Sequence, residues 1–281
     1  AAETDAVAHG TTRMRLEVHI DNLRAQTLYR LNGYHDFAVL QDYYDDSGDA
    51  LRMEKELAPH LSRDLDRVPF YRQTLEFTCG SASLMMAMAA QSPDFVPDRA
   101  TELRIWREAT TVFMTSGHGG CGAIGLALAA WRRGFDVELS VTDETGMFVD
   151  SVRSEEKKEV IRLVEEGFLE ELDDTGIRIL PAPLTSANLM HSLAAGGIPV
   201  VLISSYRLTG DRTPHWVVIT ATDDRFIYLH DPYVDVEESQ TQTDCIGLPI
   251  VPQELERMMS LGRRRNAAVV IVYPPRKDRA R

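Results

Sequence analysis

The stretch from residue 73 to residue 90 constrains this chain more than any other. A polar approach ending in Thr78-Cys79-Gly80 gives way to Ser81-Ala82-Ser83-Leu84-Met85-Met86-Ala87-Met88-Ala89-Ala90, a small and apolar run with no polar stripe. A helix that is apolar all round is a buried one, so this run predicts a central helix with Cys79 at its N-terminus. The orphan backbone N–H groups and positive dipole end found there favour a thiolate over a thiol. A cysteine nucleophile also needs an imidazole to complete its activation and a donor for the oxyanion. Gln73, earlier in the same approach, is placed to bring its amide to such a site. Free cysteine is also among the most buried residue types, so a structural core thiol is the competing reading.

A chain of 281 residues holds one large domain, or a domain with a smaller piece. Its net charge of −13 argues against a nucleic-acid partner, since little basic surface is left to neutralise phosphates. The cationic cluster Arg263-Arg264-Arg265 adjoins an apolar strand and reads as a solvated turn. Cys79, Cys121 and Cys245 are odd in number and widely spread, which suits a reducing compartment and not a disulfide framework. No run reaches membrane-spanning length and no apolar leader opens the chain, so a cytoplasmic location without a membrane partner is expected.

Near the N-terminus, Met14, Leu16, Val18 and Ile20 alternate with Arg13, Arg15, Glu17 and His19, predicting a half-buried strand. A helix over Leu23–Leu31 follows, with Asp21 or Asn22 as its cap and Gly33 as its stop. Strands are expected over 34–40 and 50–55, around the acidic turn 45–49. The run Leu16-Glu17-Val18-His19-Ile20-Asp21-Asn22, then Ala25, Leu28-Tyr29, Gly33-Tyr34 and Ala50-Leu51-Arg52-Met53-Glu54-Lys55, resembles the C-terminal half of a GNAT acetyltransferase. The resemblance implies that Asn22 and Tyr29 match positions near the pantetheine arm. It also implies that the glycine-rich pyrophosphate loop would precede residue 1, so no cofactor is expected to bind this segment. We therefore expect a partial GNAT-like segment at 1–57 and a linker at 58–66. A larger domain is expected over 67–275, with a basic tail over 276–281.

Within the larger domain, a helix is predicted over 101–110, and a glycine-rich loop over 116–122 leads into an apolar helix over Ala123–Arg132. His118 and Cys121 have a metal-like spacing, but without a second ligand pair no metal site follows. A strand over Phe135–Val141 precedes a charged helix over 154–172. Glu155, Glu156, Lys157, Lys158, Glu165 and Glu166 are placed on its wet faces, and Val160, Ile161, Val164 and Phe168 on its dry one. A helix over 184–195 and strands over 198–206, 215–222, 225–230 and 269–273 complete an α+β pattern.

His215 opens one of these strands, and Asp231 follows the next and precedes Pro232. If the two strands pair as a hairpin, both residues come to the same end of the sheet. Asp231 then accepts from one imidazole nitrogen and fixes the tautomer that presents the other to Cys79. Singly, each has a bland alternative, a surface histidine and a turn aspartate. Together, Gln73, Glu76, Cys79 and Gly80, His215-Trp216-Val217-Val218 and Asp231-Pro232 resemble the bacteriocin-processing cysteine peptidases, family thirty-nine of that class, and their papain-like relatives. Pro69-Phe70-Tyr71-Arg72-Gln73, the loop over 116–122 and Pro214-His215-Trp216 are similar to peptidase-like domains fused behind a GNAT acetyltransferase in bacteria.

The resemblance implies a papain-like fold, with Cys79 as nucleophile, His215 as base, Asp231 as orienting residue and Gln73 as oxyanion donor. Thr78 stands where the transporter-linked peptidases carry Asp. The expected function is a thiol hydrolase acting on a peptide or amide without a cofactor. Acyl transfer through the same residues and a non-catalytic peptide-binding module are the alternatives. The partners expected are that substrate and an upstream GNAT half-domain or a second copy of the chain.

Overall fold

A computed structural model of the chain describes residues 2–45, 47–110, 119–143, 154–210, 213–236 and 240–276. The chain forms two compact units, Ala1–Arg63 and Asp64–Arg281. The first contains α1 (Ala2–Ala8), β1 (Arg13–His19), α2 (Leu23–Leu31), β2 (His35–Leu40) and β3 (Ala50–Glu56). Its three strands form an antiparallel sheet in the order β1-β3-β2. Asn22 caps α2 through its side-chain oxygen, and Gly33 leaves the helix at φ +88°, where a Cβ would be strained. Val18, Tyr34, Leu51 and Met53 make the small core of this unit, with Met14 and Leu16 packed against it. The stretch 58–66, expected as a linker, falls largely within a helix, α3 (Pro59–Arg67).

In the second unit come α4 (Cys79–Gln91), α5 (Arg99–Ala109), α6 (Ala123–Arg132), β4 (Phe135–Val141), α7 (Glu155–Asp173), β5 (Arg178–Ile179) and α8 (Ser186–Ala194). They are followed by β6 (Ile198–Ser204), α9 (Tyr206–Thr209), β7 (Pro214–Thr222), β8 (Ile227–His230), β9 (Leu248–Ile250), α10 (Pro252–Met258) and β10 (Ala268–Pro275). The sheet runs β5-β4-β10-β6-β7-β8-β9. Every neighbouring pair in it is antiparallel except β4 with β5. The architecture is α+β. The short strands β5 and β9 and the helices α9 and α10 are additions to the elements expected from the sequence.

The central strands read as unbroken apolar runs because both sheet faces are covered. Successive side chains alternate between faces. Val200, Leu202, Trp216, Val218, Val270 and Val272 meet α4 and α6 on one side. Val201, Ile203, Val217, Ile219, Val269 and Ile271 meet α8 and α10 on the other. Helix α4 is enclosed among β6, β7, β10, α5 and α6, with Leu84, Met85, Met86 and Met88 fully buried. Each such side chain contributes about 1.5–3 kcal/mol of hydrophobic stabilisation. Its hydroxyls are matched: Ser83 Oγ donates to the Trp216 carbonyl at 3.0 Å, and Ser81 Oγ lies 3.5 Å from Cys121 Sγ.

Helix α7 departs from the expected facing. Val160 is exposed, and Glu165, expected on a wet face, is buried on the side that carries Ile161 and Leu172. Burial first, and then the charge of Asp143, push the Glu165 carboxyl up to about 7. The unfolded chain ionises this group at its ordinary value of 4.5 while the folded chain holds the proton to about 7. Folded stability therefore falls as pH rises through that window, and the penalty is complete above it. The variant Glu165→Gln is expected to gain stability over the parent at pH 8, exceeding its gain at pH 5 by on the order of 2 kcal/mol. Urea unfolding followed by circular dichroism at both pH values measures this, and an equal effect at the two refutes it.

Candidate active site

Cys79 is the first residue of α4, and the enclosure of that helix fixes where its thiol sits. As the first helical residue, its own N–H has no helical carbonyl one turn earlier. Gly80 follows under tight packing. A Cβ added there would stand 2.9 Å from Cys121 Cβ and 3.0 Å from Trp216 Cδ1. The Trp216 indole is itself held by a 3.0 Å hydrogen bond from Nε1 to the Cys121 carbonyl.

His215 lies near the start of β7, opposite Ile203 of β6. Strands β7 and β8 pair antiparallel with Val218 opposite His230, which brings Asp231 to the His215 end of the sheet. His215 Nε2 lies 2.7 Å from Asp231 Oδ1. This leaves Nδ1 as the imidazole nitrogen for Cys79. Asp231 is fixed in turn: its Oδ1 accepts from the Tyr233 N–H at 2.9 Å, and its own N–H donates to the Cys245 carbonyl at 2.9 Å.

Burial works against a charged sulfur at Cys79. It is outweighed by the charge of His215, a hydrogen bond with that imidazole and one from the Trp216 backbone N–H, so the thiol titrates below its ordinary value. The converse holds for His215. Burial pulls its pKa down, but the charges of Asp231 and Cys79, with hydrogen bonds to both, hold it well above the usual imidazole range. A thiolate beside an imidazolium is the state these neighbours favour. The other two cysteines are opposite in character. Burial foremost pushes both Cys121 and Cys245 up to about 12. All three are free thiols.

Gln73 is 6 % exposed and lines the same cleft as His215 and Asp231. Its backbone N–H donates to the Pro232 carbonyl at 2.9 Å, tying the approach to Cys79 onto the Asp231 loop. Its side-chain amide is turned the other way from the expected role. Nε2 donates to the carbonyls of Leu75 at 2.9 Å and Glu76 at 3.1 Å, which uses both hydrogens, while Oε1 is buried without a partner among the described residues. The cleft, of about 700 Å³, is lined also by Glu76, Ser205, Thr213, Tyr233, Asp235 and Gln240. A recess of about 490 Å³ adjoins it, sharing Gln73, Glu76, Tyr233 and Asp235.

Two contributors escaped the sequence reading. One is the Trp216 backbone N–H, since a main-chain donor leaves no trace in residue type. The other is Glu102 on α5, fully buried although ionisable. Its signal was present: Glu102 shares a helical face with Ile105 and Ala109, which are also fully buried. Within the glycine-rich loop, His118 lies outside the described residues, whereas Cys121 is placed against Gly80.

A family model described as "Peptidase_C39 like family" matches residues 68–273. No curated protein matches the chain. Among solved structures, a putative C39-like peptidase from Bacillus anthracis aligns over 74 % of this chain and 96 % of its own, at 14 % identity and a TM-score of 0.43. The peptidase domain of Streptococcus ComA, described as a bifunctional ABC transporter involved in a quorum-sensing pathway, aligns over 73 % of this chain and 98 % of its own. There the identity is 13 % and the TM-score 0.35.

Packing around Gly80 ties the thiol's position to the smallest side chain in the helix. Gly80→Ala must displace Cys121 or Trp216, an overpacking change that costs about 1–3 kcal/mol. It is expected to slow alkylation of Cys79 while the chain remains folded. Thermal unfolding alongside iodoacetamide kinetics checks this, and an unaltered rate would show the contact to be slack.

Proposed function

We propose that this chain, which belongs to the Peptidase_C39 like family, is a cysteine peptidase that cleaves a peptide or amide through a thioester on Cys79. The observation that carries this reading is the convergence of Cys79, His215 and Asp231 from three separate elements, with His215 Nε2 held 2.7 Å from Asp231. The Cys79 thiolate attacks the carbonyl carbon. The His215 imidazolium gives its proton to the departing amine as the C–N bond breaks. Neutral His215 then takes a proton from water, which attacks the thioester and releases the acid and the thiolate.

Asp231 holds the imidazole in place and favours its charged form. The oxyanion forms beside the N-terminus of α4, where the Cys79 N–H is a donor. Gln73 joins as a second donor by exchanging one of its bonds to the Leu75 and Glu76 carbonyls for the developing charge. Glu76 and Asp235 line the cleft and support a peptide carrying Lys or Arg beside the cleaved bond.

The expected outcome is selective alkylation of Cys79 by iodoacetamide at pH 7, with its rate rising at a lower pH than the ~8.5 of a free thiol. Cys121 and Cys245 stay unlabelled on the same timescale. The variant His215→Ala returns Cys79 to the few per cent thiolate of an ordinary cysteine, at least about a tenfold loss of rate at pH 7. Mass spectrometry of a digested peptide mixture then shows cleavage that Cys79→Ala abolishes. A Cys79 that labels no faster than the other two cysteines and ignores His215 sinks the peptidase reading.

A further inference from the structure

The approach to Cys79 is fastened to a single buried side chain. Glu102 Oε1 accepts from the Thr74 N–H at 2.8 Å and from Thr78 Oγ1 at 2.5 Å. Its Oε2 accepts from Thr74 Oγ1 at 2.7 Å and from the Tyr71 hydroxyl at 3.0 Å. Four donors from the segment immediately before the nucleophile thus converge on one fully buried carboxyl group. A buried acidic group is tolerated when its oxygens are satisfied in this way.

Thr78 shows what the arrangement does to the helix. It occupies the N-cap of α4, where a threonine hydroxyl ordinarily accepts from the second or third N–H of the helix. Here Thr78 makes no side-chain cap. Its one hydroxyl hydrogen lies between Glu102 Oε1 and the Leu75 carbonyl, 2.8 Å away, and its oxygen accepts from the Leu75 N–H at 3.3 Å instead of from the helix. The first-turn amides beside Cys79 are therefore left without the usual side-chain acceptor. The same segment carries Gln73, whose N–H is bonded to Pro232 next to Asp231. One carboxyl group so registers the thiol, the helix N-terminus and the cleft wall against one another.

We infer that Glu102 is a positioning residue: it withholds the Thr78 hydroxyl from the helix cap and sets Cys79 in register with His215. This rests on the reading of Cys79 as the nucleophile. Two roles for Glu102 predict opposite signs. A group acting only by its negative charge near the helix N-terminus would disfavour the thiolate, so its neutralisation would ease ionisation of Cys79. A group acting by position does the reverse, since its loss loosens the imidazole contact that favours the thiolate.

The test is the pH profile of Cys79 alkylation by iodoacetamide in the full chain, for the parent, Glu102→Gln, Thr78→Val and Thr78→Ser. Thermal unfolding is followed in parallel. Glu102→Gln keeps the shape but turns an NH₂ toward two of the four donors, and Thr78→Val removes one donor at constant volume. Both are expected to slow Cys79 at pH 7 by tenfold or more and to move its profile to higher pH. Thr78→Ser restores the parental profile. An unchanged profile, or one moved to lower pH, overturns the assignment. If Glu102→Gln does not fold, the Thr78→Val and Thr78→Ser pair decides by the same criterion. Unfolding of both Glu102→Gln and Thr78→Val also overturns it, because the carboxyl group would then be holding the fold and not the thiol. A parent Cys79 that behaves as an ordinary thiol removes the nucleophile reading first, and this inference falls with it.

Discussion

A helix enclosed on all sides can deliver a polar group only at its ends, and α4 is enclosed by three strands and two helices. Its side-chain hydroxyls are spent inward, Ser83 on a β7 carbonyl and Ser81 against Cys121. The unfinished chemistry of the helix is therefore concentrated at its first turn, where the backbone N–H groups have no helical partners. Cys79 sits at that turn, and the rest of the unit supplies what a charged sulfur needs there. Without that supply, burial alone would favour the protonated thiol, as it does at Cys121 and Cys245.

The supply is mutual. The neighbours favour an imidazolium beside a thiolate because each charge offsets much of the hydration that burial takes from the other, and Asp231 adds to the imidazolium's side. Each of the three is fixed by main chain: Cys79 by the helix start, His215 by a strand paired on both sides, Asp231 by bonds with Tyr233 and Cys245. Sites carried on regular elements hold their geometry more closely than sites carried on loops. The segment before Cys79 is irregular, and it is there that a buried carboxyl group takes four hydrogen bonds.

Much of this was legible in the sequence because it depends on local pattern. The apolar run after Cys79 marks α4, and the two short apolar runs that follow His215 and precede Asp231 mark a hairpin whose ends must coincide. What was not legible depends on which way a side chain faces after packing. Glu165 stands one turn after Ile161 and two turns before Leu172, so the helical period does place it on their face and away from Glu166, but its charge was taken as the stronger signal. The direction of the Gln73 amide is decided by the carbonyls of Leu75 and Glu76, which the residue types do not announce. Glu102 was readable in principle, aligned with Ile105 and Ala109, but an acidic residue on an apolar face is ordinarily taken for noise until its donors are seen. The strands β5 and β9 are too short to carry a periodicity.

The order of the site residues along the chain has a further consequence. Cys79 precedes in the chain the strand bearing His215, the residue Asp231 and the inner strand β10. Until those segments are made and paired, the sulfur has no cation beside it and is an ordinary thiol. A chain in which those strands have not paired therefore lacks the contacts that favour the Cys79 thiolate. Thiolate character at Cys79 in that sense depends on β7 and β8 having found their places in the sheet.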